Sequence, residues 1–186
     1  MPIIASATIA RWKDWSGKGL EHSVLTQSAN RIVAESVVIG TAEAKPFALR
    51  YRIVADRWWR VRELDADLIG GRSLKLRSDG RGHWSGQSGR ALPKLAGAID
   101  IDISATPFTN TLPIRRLKMN TGDAQEILAV YIQVPALTVI TDRQRYTRLD
   151  ATHYRYDSVD SDFTRKIEID SAGLVVKYPD LFRRVS

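Results

Sequence analysis

Two carboxylates and two guanidinium groups crowd the middle of the chain, at Asp100, Asp102, Arg115 and Arg116. They belong to the run Ile99-Asp-Ile-Asp-Ile-Ser-Ala-Thr-Pro-Phe-Thr-Asn-Thr-Leu-Pro-Ile-Arg-Arg-Leu117. Ile99, Ile101 and Ile103 alternate with the acids as in a strand, so Asp100 and Asp102 share one face. Pro107 ends that strand. Thr109 or Asn110 is placed to cap a short helix, and Pro113 falls in its first turn, where a missing N–H costs little. Paired carboxylates of this kind could work as a general acid and base, one with a raised pKa. They could instead close the helix onto the sheet as ion pairs. A third use is ligand orientation, with forked arginine donors holding an anionic or hydroxyl-rich head group. No nucleophile accompanies the set, which favours the ion-pair reading, and no catalytic residue is assigned.

Other reactive residue types give weaker patterns. Arg50 and Arg52 share a strand face, as do Trp58, Arg60 and Arg62, with Trp59, Val61 and Glu63 opposite. Such faces could stack bases and neutralise phosphates. The glycine-aromatic signature of an RNA-recognition strand is absent, and arginine-aromatic packing is ordinary on a β-surface, so nucleic acid is not the expected partner. Trp12 and Trp15 could stack on a sugar ring or line an apolar mouth, or pack in the core or at its rim. Ser16-Gly-Lys-Gly19 lacks phosphate-loop spacing, and His22, His83 and His153 lack metal-ligand spacing. Neither Ser85 nor Ser88 sits in a nucleophile elbow. The absence of cysteine removes thiolate chemistry, disulfides and zinc-thiolate sites. No metal and no cofactor is expected.

Positioning these groups falls to strands. Period-2 segments run over 8–13, 21–26, 32–39, 47–54, 58–64, 73–77, 99–103, 126–134, 138–147, 153–156, 164–169 and 174–178, with turn signals such as Asp79-Gly80 and Thr121-Gly122 between them. Only 112–118 reads as a helix, with a single turn at 92–96. The predicted architecture is mainly β: an antiparallel rolled sheet or half-open β-barrel with one or two short helices. An internal echo links Leu74–Gly80 with Ile167–Gly173 and Arg31–Val38 with Glu126–Gln133, at nearly equal offsets, which would make two duplicated β-meanders.

A chain of 186 residues forms one domain over 1–186. The 28 basic against 21 acidic side chains, net +7, bias partners towards anions, although the charges are interspersed. Met1 to Arg11 has no basic n-region and makes a poor signal peptide. No run approaches the roughly 20 apolar residues of a membrane span. A cytoplasmic protein is expected, with room for transient membrane contact.

These residues resemble a bacterial family described as putative glycolipid-binding, formerly a domain of unknown function. The carrying motifs are Arg11-Trp12 with Gly19-Leu-Glu-His22, Glu35-Ser-Val-Val-Ile-Gly40, Tyr51-Arg52 with Trp59-Arg-Val-Arg-Glu-Leu64, Asp79-Gly80 with Trp84, and the central run Ile99–Leu117. Further on come Tyr131-Ile-Gln-Val-Pro135, Gln144-Arg-Tyr-Thr147, Tyr154-Arg-Tyr156 and Gly173–Phe182. The resemblance covers nearly the whole chain. It implies a fold similar to periplasmic lipoprotein carriers, with helices plugging an apolar cavity, and it carries over no catalytic residues. The resulting expectation is a non-enzymatic binding protein for an amphiphile such as a glycolipid. The rival is a small-molecule enzyme using carboxylate, Arg and Tyr in the same cavity. Candidate ligand-binding residues are Trp12, Glu21, Trp59, Arg60, Arg62, Asp100, Asp102, Phe108, Asn110, Arg115, Arg116, Tyr146 and Tyr154. Perturbed carboxylates converging with Arg and Tyr deep inside would favour chemistry; a deep apolar pocket with a polar rim would favour carriage.

Overall fold

The computed structural model describes residues 6–42 and 44–186; the apolar N-terminal stretch weighed above as a leader lies partly outside the described residues. Alternation becomes fourteen strands: β1 (Ser6–Asp14), β2 (Leu20–Gln27), β3 (Arg31–Ala42), β4 (Lys45–Asp56), β5 (Val61–Leu68), β6 (Ser73–Ser78), β7 (Trp84–Gly86), β8 (Asp100–Ile103), β9 (Ala124–Gln133), β10 (Thr138–Arg148), β11 (His153–Ser158), β12 (Thr164–Ile169), β13 (Val175–Tyr178) and β14 (Phe182–Val185). They form one sheet in the order β7-β6-β5-β4-β3-β2-β1-β14-β13-β12-β11-β10-β9-β8. The echoed segments fall on β3 and β6 in one meander and on β9 and β12 in the next.

The sheet is rolled but not closed into a barrel, since β7 and β8 end it unpaired with each other. Those ends do approach: Gly97 N–H donates to the Gly82 carbonyl at 2.9 Å, and Trp84 Nε1–H to Ala98 O at 2.7 Å. Inside the roll lies the segment after β8, a 3-10 turn (Phe108–Asn110) running into α1 (Thr111–Leu117). Phe108 and Leu112 join the core that Trp12, Leu25, Ile32, Leu49 and Leu64 build from the first strands. Ile114 faces the other way, into a second core with Tyr146, Tyr154, Ile167 and Val175. Each such buried side chain contributes about 1.5–3 kcal/mol. The plug is thus held on two faces, and it is what gives the sheet something to wrap.

Three local expectations are corrected. The β8–β9 pair is parallel, because residues 104–123 cross over through the plug rather than turning back in a hairpin. Strand β5 begins at Val61, and its register against β4 shifts between Val54 and Ala55. Arg62 is the extra, exposed residue there, so the alternation read over 58–64 holds from Trp58 to Arg62 and breaks at Glu63, which is only partly buried while Leu64 is buried. Neither Thr109 nor Asn110 caps α1 with its side chain. The 3-10 entry lets Thr111 N–H reach Phe108 O and Thr109 O, which frees both side chains for other partners.

Candidate functional site

Inward-facing positions of β1 to β4 carry an unusual row for a core. Trp12 stands opposite Glu21 across β1–β2, and Ser23 opposite Ser36 across β2–β3. Glu21 is 2% exposed. Its Oε1 accepts from Ser36 Oγ–H at 2.6 Å and from Tyr51 O–H at 2.6 Å, while Tyr51 Oη lies 3.3 Å from Thr106 Oγ1. Its Oε2 has no hydrogen-bond partner among the described residues. Burial outweighs the hydroxyl donors and raises the Glu21 carboxyl from 4.5 to about 7. Burial and the neighbouring carboxylate together hold Tyr51 well above the ordinary phenol range.

Glu21 lines a cavity of about 370 Å³ at one end of the roll, where Trp12, Val38, Phe47, Val134 and Phe182 supply apolar walls. Trp15, Leu20 and Ile39, all exposed, stand around it. A second cavity of about 390 Å³ adjoins the first, and Ser104, Leu181 and Phe182 line both. Its walls set Asp102, Asp142, Asn110, Tyr131, Tyr156 and Tyr178 among the apolar Ile103, Ile140, Phe163, Leu181 and Phe182. Gln144 Nε2–H donates to Asp102 Oδ2 at 2.8 Å and to Asp142 Oδ2 at 2.9 Å, so one amide ties the two carboxylates together. Thr109 Oγ1–H donates to Asp102 Oδ1 at 3.0 Å. Burial, against these donors and helped by Asp142, raises the Asp102 carboxyl. Tyr146 O–H donates to Asn110 Oδ1 at 2.9 Å and fixes that amide. Among the described residues no Lys, Arg or His lines either cavity, whereas Asp14, Glu21, Asp102, Asp142 and Asp180 do.

The candidate residues divide accordingly. Trp12, Glu21, Asp102 and Asn110 line the paired cavities, and Tyr146 supports them from behind. Asp100 and Arg116 form a strut instead: Arg116 Nε–H donates to Asp100 Oδ1 at 3.0 Å and Nη2–H to Oδ2 at 2.5 Å, with Asp100 1% exposed. Phe108 is core. Trp59, Arg115 and Tyr154 lie at the other end of the roll. Arg60 and Arg62 are exposed, near Trp58 and Asp56, on the face opposite buried Trp59 and Val61. The four-charge centre read from Asp100, Asp102, Arg115 and Arg116 is therefore three separate devices. Sequence reasoning missed Tyr131, Asp142, Gln144, Tyr156 and Tyr178. The spacing Asp142, Gln144, Tyr146 on one strand face was the available signal.

A family model described as "Putative glycolipid-binding" matches residues 9–184. The crystal structure of a DUF1089 family protein from Pseudomonas aeruginosa is similar to this chain at 42% identity and a TM-score of 0.82. That match covers 90% of this chain and 92% of the other. No curated protein matches.

Proposed function

The chain belongs to the "Putative glycolipid-binding" family, and from that premise we propose that it is a non-enzymatic binding protein for an amphiphile with a neutral, hydroxyl-rich head group. One observation carries this reading: two adjoining cavities at the same end of the roll, both mostly apolar, the second of which adds a cluster of tyrosine hydroxyls, an amide and two carboxylates. The hydrocarbon part lies against Val38, Phe47, Val134 and Phe182. The head occupies the second cavity, where tyrosine rings offer flat faces and Asp102 and Asp142 accept from hydroxyls. The overall +7 charge pointed to an anion, but the charge nearest the ligand decides, and among the described residues every ionisable group lining these walls other than tyrosine is acidic. An anionic head there meets repulsion that low-dielectric walls strengthen. Exposed Trp15, Leu20 and Ile39 at the mouth suit uptake of a chain from a lipid surface. No helix among the described residues is long and apolar enough to cross a membrane, and a cytoplasmic location remains part of the proposal.

Native mass spectrometry of protein purified without detergent tests this reading. The expected result is a bound neutral glycolipid-like mass, lost in Phe47→Asp. Only anionic adducts, or no adduct together with no uptake of a neutral alkyl glycoside, would reject it.

One observation favours a second reading, an acid/base enzyme in the same cavities. Glu21 combines a carboxyl near pKa 7, an unpartnered Oε2 and Tyr51 at 2.6 Å. Glu21→Gln separates the two: it leaves ligand retention intact in a carrier and abolishes turnover of a co-purified ligand in an enzyme.

A further inference from the structure

The excess positive charge has a concrete location at the opposite end of the roll. A cavity of about 400 Å³ there is lined by Arg57, Arg115, Lys118 and Arg148, with Trp58, Trp59 and Tyr154. Among the described residues none of these four cations has a carboxylate within 4.0 Å. The one acid in the lining, Asp170, is already satisfied. Its Oδ1 accepts from the backbone N–H groups of Ala172 at 2.9 Å and Leu174 at 3.0 Å, and its Oδ2 from Arg184 at 2.5 Å.

The site is built rather than merely basic. Arg115 lies 5.2 Å over the ring of Trp59, which is 5% exposed and held at φ 67, a conformation a bulky residue adopts only when its surroundings impose it. Asp56 imposes it: the carbonyl accepts from Trp59 N–H at 2.9 Å, and the side chain from Trp58 N–H at 2.9 Å and Arg60 N–H at 3.1 Å. On its other side the Arg115 stem lies so close to Gly173 that a Cβ there would sit 2.8 Å from Arg115 Cδ. Arg148 is anchored by donating to Met119 O at 2.5 Å and Asp150 O at 3.1 Å. Two guanidinium groups are thus pre-positioned, with Arg57 and Lys118 completing the rim.

We propose that this end of the roll is an anion site that takes a phosphate monoester. Planar forked donors match phosphate oxygens, and four uncompensated positive charges suit a dianion better than a single carboxylate. A cavity of this size has room beside Trp58 and Tyr154 for the group that carries the phosphate. The site is separate from the amphiphile cavities and does not depend on that reading.

Calorimetric titration of the full chain with glycerol 3-phosphate at low ionic strength tests it, beside sedimentation with phosphatidylcholine vesicles containing phosphatidic acid. Saturable binding is expected, weakened at least about tenfold in Arg115→Gln and in the exposed Lys118→Gln. Arg50→Gln removes the same charge from the outer face of β4 and should leave affinity unchanged. Gly173→Ala, which displaces Arg115 without altering charge, should also weaken binding. A charge-dependent response to glycerol 3-phosphate supports a soluble ester as the source, and the same response confined to vesicles supports a lipid head group. Binding of neither probe, or equal loss in Arg50→Gln and Arg115→Gln, overturns the proposal. Phe47→Asp should leave this titration untouched, which keeps it distinct from failure of the amphiphile reading.

Discussion

Arg116 grips Asp100 with two hydrogen bonds, Nε to Oδ1 at 3.0 Å and Nη2 to Oδ2 at 2.5 Å, joining the end of α1 to β8. The carboxylate is 1% exposed, and burial still raises its pKa despite the arginine. The pair therefore fixes the position of the plug on the sheet.

Arg116→Met should cost about 3–5 kcal/mol in urea unfolding near pH 7, because it strands a buried charge. Asp100→Leu combined with Arg116→Met should recover most of that loss. The single variant's deficit should shrink at acid pH. Without its base the native carboxyl holds its proton to higher pH than the unfolded one, so native stability falls as pH rises. A change under about 1 kcal/mol would show that the strut does not matter.

Glu21 makes a second pH signature. Its carboxyl titrates near 4.5 when unfolded and at about 7 when folded. Between those values the native state holds the extra proton, so stability declines as pH rises from about 4.5 to 7 and is flat below that window. That displacement corresponds to about 3 kcal/mol. Glu21→Gln should flatten this slope, and Tyr51→Phe, by removing a donor to the carboxylate, should move its upper end higher. Parallel pH profiles for wild type and Glu21→Gln would contradict the assignment.

Where the two sheet ends meet, Gly82 has φ 96 and lies against Gly97, so a Cβ would sit 2.8 Å from the Gly97 Cα. Backbone cannot move aside. Gly82→Ala should cost more than about 2 kcal/mol, whereas Gly89→Ala, at φ 77 with open space around it, should cost about 1 kcal/mol. Equal losses in urea unfolding would mean the contact at the open seam is loose.

Much of this architecture is legible in the sequence because alternation is a local property. Period-2 spacing over 32–39 places β3 without any tertiary knowledge, although the buried face of Ile32, Ala34, Ser36 and Val38 is no more apolar than Val33, Val37 and Ile39 opposite. What fails is what depends on partners. The bulge at Arg62 exists only against β4, and Phe182–Val185 is a strand because it pairs with β1 and β13. In β2 the pattern Leu20, His22, Val24 against Glu21, Ser23, Leu25 has no apolar side, and the structure buries the more polar one. Trp12, Glu21, Asp102, Asn110 and Tyr146 meet at the paired cavities. The arginines did not join them, since residue type announces a charge but not its register.

Displacement of a fluorescent lipid by alkyl glycosides tests the central claim most directly. Dodecyl maltoside should displace saturably, better than octyl glucoside and far better than dodecanoate at pH 8. Phe47→Asp should weaken every ligand, whereas Asp102→Asn should weaken maltoside selectively and relieve the penalty on dodecanoate. Tighter binding of dodecanoate than of the neutral glycoside, or maltoside affinity unchanged in both variants, would contradict a neutral head group seated between Asp102 and the tyrosines.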